Sequence, residues 1–319
     1  MLILSRAEVE GLLDLDLLRE AVARAMADLS AGRVSMPPRI AALVPDRDAL
    51  LAAMPAYIPS SGVIATKLVS LFPRNTDRPT HQAVIVVFDA DNGSALALMD
   101  GEAITAARTA AGSALATDLL ARKNSDRLAI VGTGVQARAH LRAVSRVRRF
   151  RSITVAGRHA ENAKALASEF GASHASIEQA VRDADVICAC THSAEPVVRR
   201  EWLRPGAHVT SVGYNTAGRE VDGATFRDAL VIVESRSATL APPPAGSNDI
   251  AMAIAEGAMT REHVHAELGE LVSGVRPGRA NESQITLYKS VGVAVQDAAA
   301  AAMVLESARK AGIGRTIDL

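Results

Sequence analysis

Two cationic side chains lie where the sequence pattern predicts apolar ones. Lys67 falls on the apolar face of a strand-like run, and Arg108 falls on the apolar stripe of a predicted helix. Their apolar neighbours are Val63, Ala65, Val69 and Leu71 for Lys67, and Ile104, Ala111, Leu115 and Leu119 for Arg108. A buried cation needs an anion, and a substrate carboxylate fits because a guanidinium binds a carboxylate bidentately. The alternatives for either residue alone are a snorkelling surface side chain and a structural ion pair.

A glycine-rich turn, Gly132-Thr-Gly134-Val135-Gln136-Ala137, joins a buried-strand run at 128–131 to a predicted helix at 135–144. This order lets backbone N–H groups and the N-terminus of the helix meet a pyrophosphate. Ala137 replaces the third glycine of the usual pattern, a position that needs only a small side chain. The turn therefore predicts a dinucleotide site, and a purely structural strand-turn-helix is the alternative.

The second predicted strand of this region is not followed by a carboxylate. NAD-specific domains carry an acidic residue there for the adenosine ribose, whereas this sequence reads Val155-Ala-Gly-Arg158-His159. Arg158 can bind a 2′-phosphate through charge-assisted hydrogen bonds, which favours NADP over NAD. A solvated surface arginine is the alternative.

The elements that must position these residues fall into two groups. Helical periodicity covers 7–31, strand-like runs cover 62–71, 83–88 and 95–98, and a long helix is predicted over 102–121. The strand-like runs predict an antiparallel sheet. A polar break at 123–127 follows and predicts a domain boundary.

Beyond the break, strands and helices alternate, which predicts a parallel sheet covered on both faces. An alanine-rich helix is predicted over 288–311. The predicted fold is α/β, with a Rossmann-type doubly wound parallel sheet at 121–289. A smaller α+β domain at 1–120, completed by a C-terminal helix at about 290–319, is predicted to bind substrate and to dimerise.

Composition restricts the possible partners. The 319 residues carry a formal net charge of +0, which removes the long-range attraction that nucleic acids or anionic membranes require. No run reaches the ~18 consecutive apolar residues that a membrane helix needs. The apolar stretch at the start of the sequence is too short for the core of a signal peptide. We therefore expect a cytoplasmic protein whose partners are a small molecule and a second copy of itself.

Cys188, Cys190 and His192 share one face of a strand-like run and suggest a metal site. Same-face residues on a strand are ~6.6 Å apart, so all three cannot reach one ion at ~2.3 Å. Buried thiols in a sheet are the better interpretation, and no metal is predicted.

The sequence resembles the ornithine cyclodeaminase/mu-crystallin family over essentially its whole length. The motifs that carry the resemblance are Pro38-Arg39, Met54-Pro55, Lys67 with Phe72-Pro73-Arg-Asn75, Ile104-Thr-Ala-Ala-Arg108-Thr-Ala-Ala111, the glycine-rich turn, Glu267-Leu-Gly269, Gly278-Arg279 and Lys289-Ser-Val-Gly292. The resemblance implies that Arg39, Lys67 and Arg108 hold a substrate carboxylate. It also implies a set of cofactor contacts: Thr80, Arg108, Gly132, Gly134, Val135, Gln136, Ala137, Arg158, Thr191, Val212, Gly213, Tyr214, Asn215, Arg219 and Ser290.

Two carboxylates that ornithine cyclodeaminases carry are missing. Their positions hold Ala52, two residues before the Met-Pro pair, and Asn215. The leading hypothesis is therefore an NAD(P)H-dependent reductase of imines of 2-oxo acids, which in reverse is an amino-acid dehydrogenase. Lys67 would donate a proton or polarise the imine, and His81 is a second acid candidate or an ordinary structural histidine.

Three alternatives stay open at the level of sequence. The first is a cyclodeaminase, and the second is a protein that binds NADP(H) and a small ligand without turnover. The third is a flavin or S-adenosylmethionine enzyme, which also uses a glycine-rich turn.

Overall fold

The computed structural model describes residues 1–215 and 217–318, which form two compact units. One unit comprises Met1–Arg108 and Val293–Leu319, and the other comprises Thr109–Gly292. The strands are β1 (Leu2–Leu4), β2 (Ile40–Val44), β3 (Ala49–Ile58), β4 (Val63–Leu71), β5 (His81–Asp89), β6 (Ala95–Asp100), β7 (Arg127–Val131), β8 (Ser152–Ala156), β9 (Ser173–His174), β10 (Val186–Ala189), β11 (His208–Ser211), β12 (Leu230–Val233), β13 (Val264–Glu267), β14 (Thr286–Lys289) and β15 (Arg315–Thr316). The helices are α1 (Arg6–Leu12), α2 (Leu15–Ser30), α3 (Gly101–Leu120), α4 (Val135–Val147), α5 (Ala160–Glu169), α6 (Ile177–Asp183), α7 (Gly223–Asp228), α8 (Arg236–Thr239), α9 (Asn248–Ala255), α10 (Leu268–Val272) and α11 (Ala294–Ala311).

The division between the units falls inside α3, not at the polar break after Leu120 where the sequence suggested it. The reason is packing on the second half of this helix. Ala110 and Ala114 belong to the same buried cluster as Leu128 and Ile130 of β7. An apolar helix face belongs to the unit whose core packs against it, regardless of how polar the following loop is.

The first unit is built on a seven-stranded sheet in the order β15-β1-β6-β5-β4-β3-β2. The predicted antiparallel arrangement is confirmed for β3 to β6, and the sheet also contains β1, which was not predicted and pairs parallel with β6. A three-residue strand is too short to show alternation, so this pairing has no local signal in the sequence. On the inward face, Met54, Lys67 and Ile85 are neighbours in register, and α11 packs on β3, β4 and α2.

The helix predicted over 7–31 is two helices. Leu13 is extended, with φ −79° and ψ 99°, and ends α1. The side chain of Asp14 then accepts hydrogen bonds from the backbone N–H groups of Asp16 and Leu17 and begins α2. An aspartate that caps a new helix interrupts the backbone while the apolar periodicity continues.

The second unit is built on an eight-stranded parallel sheet in the order β13-β12-β14-β11-β10-β7-β8-β9. Strand β7 lies between β8 and β10, so the chain reverses direction across the sheet at the carboxyl end of β7. This is the switch point at which open α/β sheets bind ligands. The predicted Rossmann-type α/β fold is confirmed.

The helix predicted over 288–311 is wrong in its first part. Residues Thr286–Lys289 form β14, which is paired on both sides with β11 and β12. Helix α11 begins only at Ala294, after Gly292 at φ 73° has turned the chain. The hydrogen bonds of the two flanking strands outweigh the local helix propensity of this short segment.

Candidate active site

Lys67 lies in the middle of β4 with its side chain on the inward face of the sheet and only 3% exposed. Its Nζ is 2.9 Å from Oδ2 of Asp297. Arg108 of α3 is equally buried, and its Nε is 2.9 Å from Oδ1 of the same carboxylate. The Arg108 Nη1 atom also donates to Oε1 of Gln296 at 2.9 Å. One carboxylate thus faces two cations, and the three groups together carry one positive charge.

Asp297 was not among the residues predicted from the sequence. It lies in the first turn of α11, and its partners Lys67 and Arg108 are far from it in the sequence. The only local signal is that Gln296-Asp297 is a polar pair at the start of an otherwise alanine-rich helix. Such a pair in a helix that must be buried indicates a buried partner, although it does not say which one.

Burial lowers the pKa of Lys67 from 10.5 to about 8. The carboxylate of Asp297 opposes this shift, and the positive charges of Arg108 and Arg39 add to it. A lysine in this range is mostly protonated at neutral pH and gives up its proton far more readily than a surface lysine. Lys67 therefore has the protonation behaviour of a general acid.

His81 is the first residue of β5, and Thr80 directly precedes it. Burial, and then the charges of Lys67 and Arg108, lower the pKa of His81 below its usual value of 6.5. The imidazole is consequently neutral at pH 7, which makes it a weaker candidate for proton donation than Lys67. Thr80 is exposed, and its carbonyl accepts a hydrogen bond from the N–H of Phe72 at 2.8 Å. Arg39 is half-buried.

Ala52 lies on the same inward face of the sheet as Lys67. It is 6% exposed and pairs in register with Val69 of β4. A carboxylate at this position would point toward the same side of the sheet as the Lys67 ammonium. The residue present offers only a methyl group.

The glycine-rich turn in the second unit has the backbone geometry that a pyrophosphate requires. Gly132 has φ 127°, and a Cβ there would come within 2.4 Å of the carbonyl oxygen of Cys190. Gly134 is the N-cap of α4, where a Cβ would meet open space. The first N–H groups of a helix have no partner inside it, so those of Val135 and Gln136 are available to an anion. The residues present thus fit the phosphates of a dinucleotide.

Gln136 and Arg158, two further predicted cofactor residues, differ in the burial of their side chains. The Oε1 atom of Gln136 is buried, and no described residue donates to it. Arg158 follows β8 and is exposed, with its Nε 3.3 Å from Nε2 of His159. Ala137 is fully buried, which agrees with the small side chain expected where the helix approaches the sheet.

Thr191 and Gly213 are held by a buried carboxylate that the sequence did not single out. Both the N–H and the Oγ1 of Thr191 donate to Oε1 of Glu220. The N–H of Gly213 donates to Oε2 of Glu220 at 2.7 Å. A Cβ at Gly213 would come within 2.2 Å of the Glu220 carboxyl carbon. Only glycine permits this approach.

The remaining predicted cofactor residues also have protein partners. The Oγ of Ser290 donates to Oε1 of Glu234 at 2.9 Å, and Arg219 forms an ion pair with Glu256 at 2.9 Å. The Nδ2 of Asn215 donates to the carbonyl of His192 at 3.3 Å. His192 is in turn hydrogen-bonded through Nδ1 to the carbonyl of Tyr214. The half-buried Val212 donates its N–H to the carbonyl of Ala189 at 3.1 Å.

Of the two thiols of this region, that of Cys188 is buried and that of Cys190 is half-buried. Burial raises the pKa of Cys188 to about 12, so it is protonated at neutral pH. Among residues 1–215 and 217–318, no group of three or more His, Cys, Asp or Glu side chains is arranged to hold a metal ion.

The sequence profile of the ornithine cyclodeaminase/mu-crystallin family matches residues 1–312. The chain belongs to this family. Mouse ketimine reductase mu-crystallin is 39% identical over 282 residues, which are 86% of this chain and 86% of that protein. The motif-based resemblance is thereby confirmed.

Solved structures show the same fold over the whole chain. Delta(1)-pyrroline-2-carboxylate reductase from Thermococcus litoralis, in complex with NADH and L-proline, is 38% identical with a TM-score of 0.93. The match covers 99% of this chain and 100% of that one. An archaeal alanine dehydrogenase dimer with bound NAD is 31% identical with a TM-score of 0.92, and covers 100% and 99% of the two chains.

Proposed function

We propose that this protein is an NAD(P)H-dependent reductase of imines of 2-oxo acids, and that in reverse it is an amino-acid dehydrogenase. The observation that carries the proposal is the buried Lys67-Asp297-Arg108 cluster, which combines a net positive charge with a lysine whose pKa is about 8. Relatives that reduce ketimines and pyrroline-2-carboxylate support the same reaction class.

The cationic side chains of the first unit bind the substrate carboxylate. Arg108 is fixed by Asp297 and Gln296, so the direction of its guanidinium is set before substrate arrives. Preorganisation of this kind lowers the entropic cost of placing the reacting carbon. Arg39, which influences the charge state of Lys67, assists in this role.

Lys67 donates the proton that the imine nitrogen needs. A nicotinamide dinucleotide, with its pyrophosphate at the glycine-rich turn, would supply the hydride for the C=N carbon when bound. The Lys67 ammonium loses a proton from Nζ, and Asp297 at 2.9 Å accepts hydrogen bonds from the group before and after that transfer. Because its pKa is about 8, Lys67 is reprotonated by solvent at neutral pH.

We infer a preference for NADPH. Arg158 is exposed after β8, the position from which a side chain reaches the adenosine ribose in this fold, and no carboxylate occupies 155–159. A guanidinium there favours a 2′-phosphate. The structural neighbours named above contain NADH or NAD, so NADH remains the natural comparison in every assay.

A homodimer is proposed on the outer face of the first unit's sheet. Leu51, Ile64 and Val84 are 49%, 40% and 41% exposed on neighbouring strands β3, β4 and β5. Apolar areas of this kind mark protein interfaces. The archaeal alanine dehydrogenase is a dimer. Ile64→Glu should shift the sedimentation coefficient to that of a monomer, whereas Leu17→Glu on α2, an equally exposed apolar site, should not.

The function is tested by a spectrophotometric screen of NADPH and NADH oxidation. The substrates are cyclic ketimines with a carboxylate next to the C=N carbon, and 2-oxo acids with ammonia or methylamine. We expect oxidation with at least one of these, and its loss in Lys67→Met. NADPH binding without turnover of any substrate would favour the non-catalytic alternative. Flavin absorbance after gentle purification would favour another cofactor class.

A further inference from the structure

The second unit contains a buried polar cluster that the proposed reaction does not use directly. Its members are Glu220, Asp249, Lys289 and Ser211, each at most 3% exposed. The Lys289 Nζ is 3.1 Å from Oδ2 of Asp249 and donates to Oγ of Ser211 at 2.9 Å. The Ser211 hydroxyl donates in turn to Oε2 of Glu220 at 2.7 Å. The order of donors therefore runs from lysine to serine to carboxylate.

The cluster joins the carboxyl ends of adjacent strands. Thr191 follows β10 and Gly213 follows β11, and Lys289 is the last residue of β14. In the sheet, β11 lies between β10 and β14. The carboxyl edge of such strands is where the ligand of an open α/β sheet binds. A single network thus fixes the loops at that edge.

Four donors converge on the Glu220 carboxylate: the N–H and Oγ1 of Thr191, the Oγ of Ser211 and the N–H of Gly213. A carboxylate has about four acceptor positions and no donor, so it matches this set. An amide would turn an NH₂ group toward donors and leave some of them without an acceptor. Burial makes that mismatch costly, because water cannot replace the lost partner.

The backbone of Glu220 is also fixed. Its own N–H and that of Val221 donate to Oδ1 of Asp249 at 2.9 and 3.2 Å. Lys289 donates to the carbonyl of Gly213 at 3.0 Å, so the same loop is held from two sides. Glu220 therefore cannot move without moving the loops after β10 and β11.

We infer that Glu220 is a positioning residue that sets the loops contacting the nicotinamide half of the cofactor. This inference rests on the proposed function. The adenosine half, by contrast, depends on the glycine-rich turn and on Arg158, which follows β8 on the opposite side of β7 from β10 and β11. Loss of the Glu220 carboxylate should weaken binding of the whole dinucleotide while sparing a fragment that lacks nicotinamide.

The test measures dissociation constants for two ligands in the full-length protein. NADPH binding is followed by the change in dihydronicotinamide emission, and 2′-phospho-ADP-ribose binding by calorimetry. In Glu220→Gln, we expect the Kd for NADPH to rise about 10-fold and that for 2′-phospho-ADP-ribose to stay within about 2-fold. The emission change on binding should also shrink, because the nicotinamide pocket is altered. NADH and ADP-ribose provide a parallel pair.

A matched control is Asp222→Asn, two residues further along the same segment. Asp222 caps α7 and accepts from the N–H of Thr225 and of Arg200, so its loss affects stability without reaching the loops. Glu220→Asp keeps the carboxylate and should recover part of the NADPH affinity. If Glu220→Gln does not fold, Ser211→Ala removes one donor and should raise the NADPH Kd about 3-fold in the same pattern.

The possible outcomes distinguish failure of the proposed function from failure of the positioning role of Glu220. If the wild-type protein binds neither NADPH nor NADH, the proposed function fails. If the wild type binds NADPH and Glu220→Gln binds both ligands as the wild type does, the positioning role is overturned. Equal weakening of both ligands in Glu220→Gln, or in Ser211→Ala, would likewise overturn it and assign Glu220 to general stability.

Discussion

The two units each bury a small cluster of ions, and the clusters differ in how their charges are satisfied. In Lys67-Asp297-Arg108, one carboxylate serves two cations, and burial lowers the pKa of the lysine to about 8. In Glu220-Asp249-Lys289, the single cation pairs with Asp249 and is linked to Glu220 through the Ser211 hydroxyl. Backbone N–H groups, hydroxyls and the lysine donate to the two carboxylates. The first cluster carries one positive charge, and the second carries one negative charge.

Because of this difference, similar buried ions have different roles in the two clusters. A positive cluster with a readily released proton suits an anionic substrate that must be protonated. A carboxylate saturated by backbone N–H groups and hydroxyls is fixed in place and fixes the loops that donate to it. Buried ions alone therefore do not indicate catalysis. What matters is the sign of the net charge and whether the hydrogen-bonding capacity is filled.

The largest expected effect concerns substrate choice at the first cluster. Ornithine should give no detectable proline under conditions where an imino acid is reduced readily. Cyclodeamination needs a group that handles the protons of a second amine, whereas Ala52 offers only a methyl group on that sheet face and Asn215 an amide. The positive cluster repels a protonated δ-amine. Amino-acid analysis of the reaction mixture measures the outcome.

Proline formation at a comparable rate would mean that another acid fills the role. The acidic residues nearest to Arg108 in the sequence are Asp100 and Glu102, and both have structural partners. Asp100 accepts from the N–H of Ala103 at 2.8 Å, and Glu102 is 3.2 Å from Arg6.

Lys67→Met tests most directly whether the two clusters have different roles. We expect kcat/KM for the imine to fall at least ~10²-fold, about 2.7 kcal/mol of transition-state stabilisation, with NADPH affinity unchanged. Asp297 keeps Arg108 as its partner, so the melting temperature should change little. Arg108→Leu is a less specific probe because it removes the hydrogen bonds to both Oε1 of Gln296 and Oδ1 of Asp297, although Asp297 keeps Lys67 as a partner. Loss of NADPH affinity in Lys67→Met would break the division of roles.

Arg158→Ala should act on cofactor choice alone. The KM for NADPH should rise about 10-fold and that for NADH should change less than about 2-fold, because the lost contact is to the 2′-phosphate. Steady-state kinetics with each cofactor at saturating imine measures this. Arg182→Ala, another exposed arginine of the same unit, is the control. Equal effects on the two cofactors would remove the case for NADPH.

The smallest expected effect is on the pH dependence of kcat/KM. The active form of Lys67 is protonated, so the rate should fall as the pH rises through about 8. Asp297 raises the pKa of Lys67, so Asp297→Asn should move this decline to lower pH. Rate profiles between pH 5 and 10 measure both effects. A decline centred below pH 6.5 would instead indicate His81, whose pKa is lowered by burial.

Much of the fold was predictable because its signals are local. The strand before Gly132 and the helix after it, as well as the runs at 186–189 and 230–233, depend on periodicity and turn chemistry within about ten residues. One error arose where strand pairing overrode the local pattern: Thr286–Lys289 is a strand because it pairs with β11 and β12. Another arose at Asp14, which caps a new helix inside a continuous apolar periodicity.

The sequence by itself determined that Lys67 and Arg108 are buried and what kind of chemistry they offer. Strand alternation placed Lys67 inward, helical spacing did the same for Arg108, and the spacing of glycines located the dinucleotide turn. Only the tertiary structure decided the partners, because Asp297 and Arg108 are separated by 189 positions and Glu220 reaches Thr191 across 29. Periodicity reports the environment of one residue at a time. The charge balance that distinguishes an acid from a scaffold exists only once distant segments are folded together.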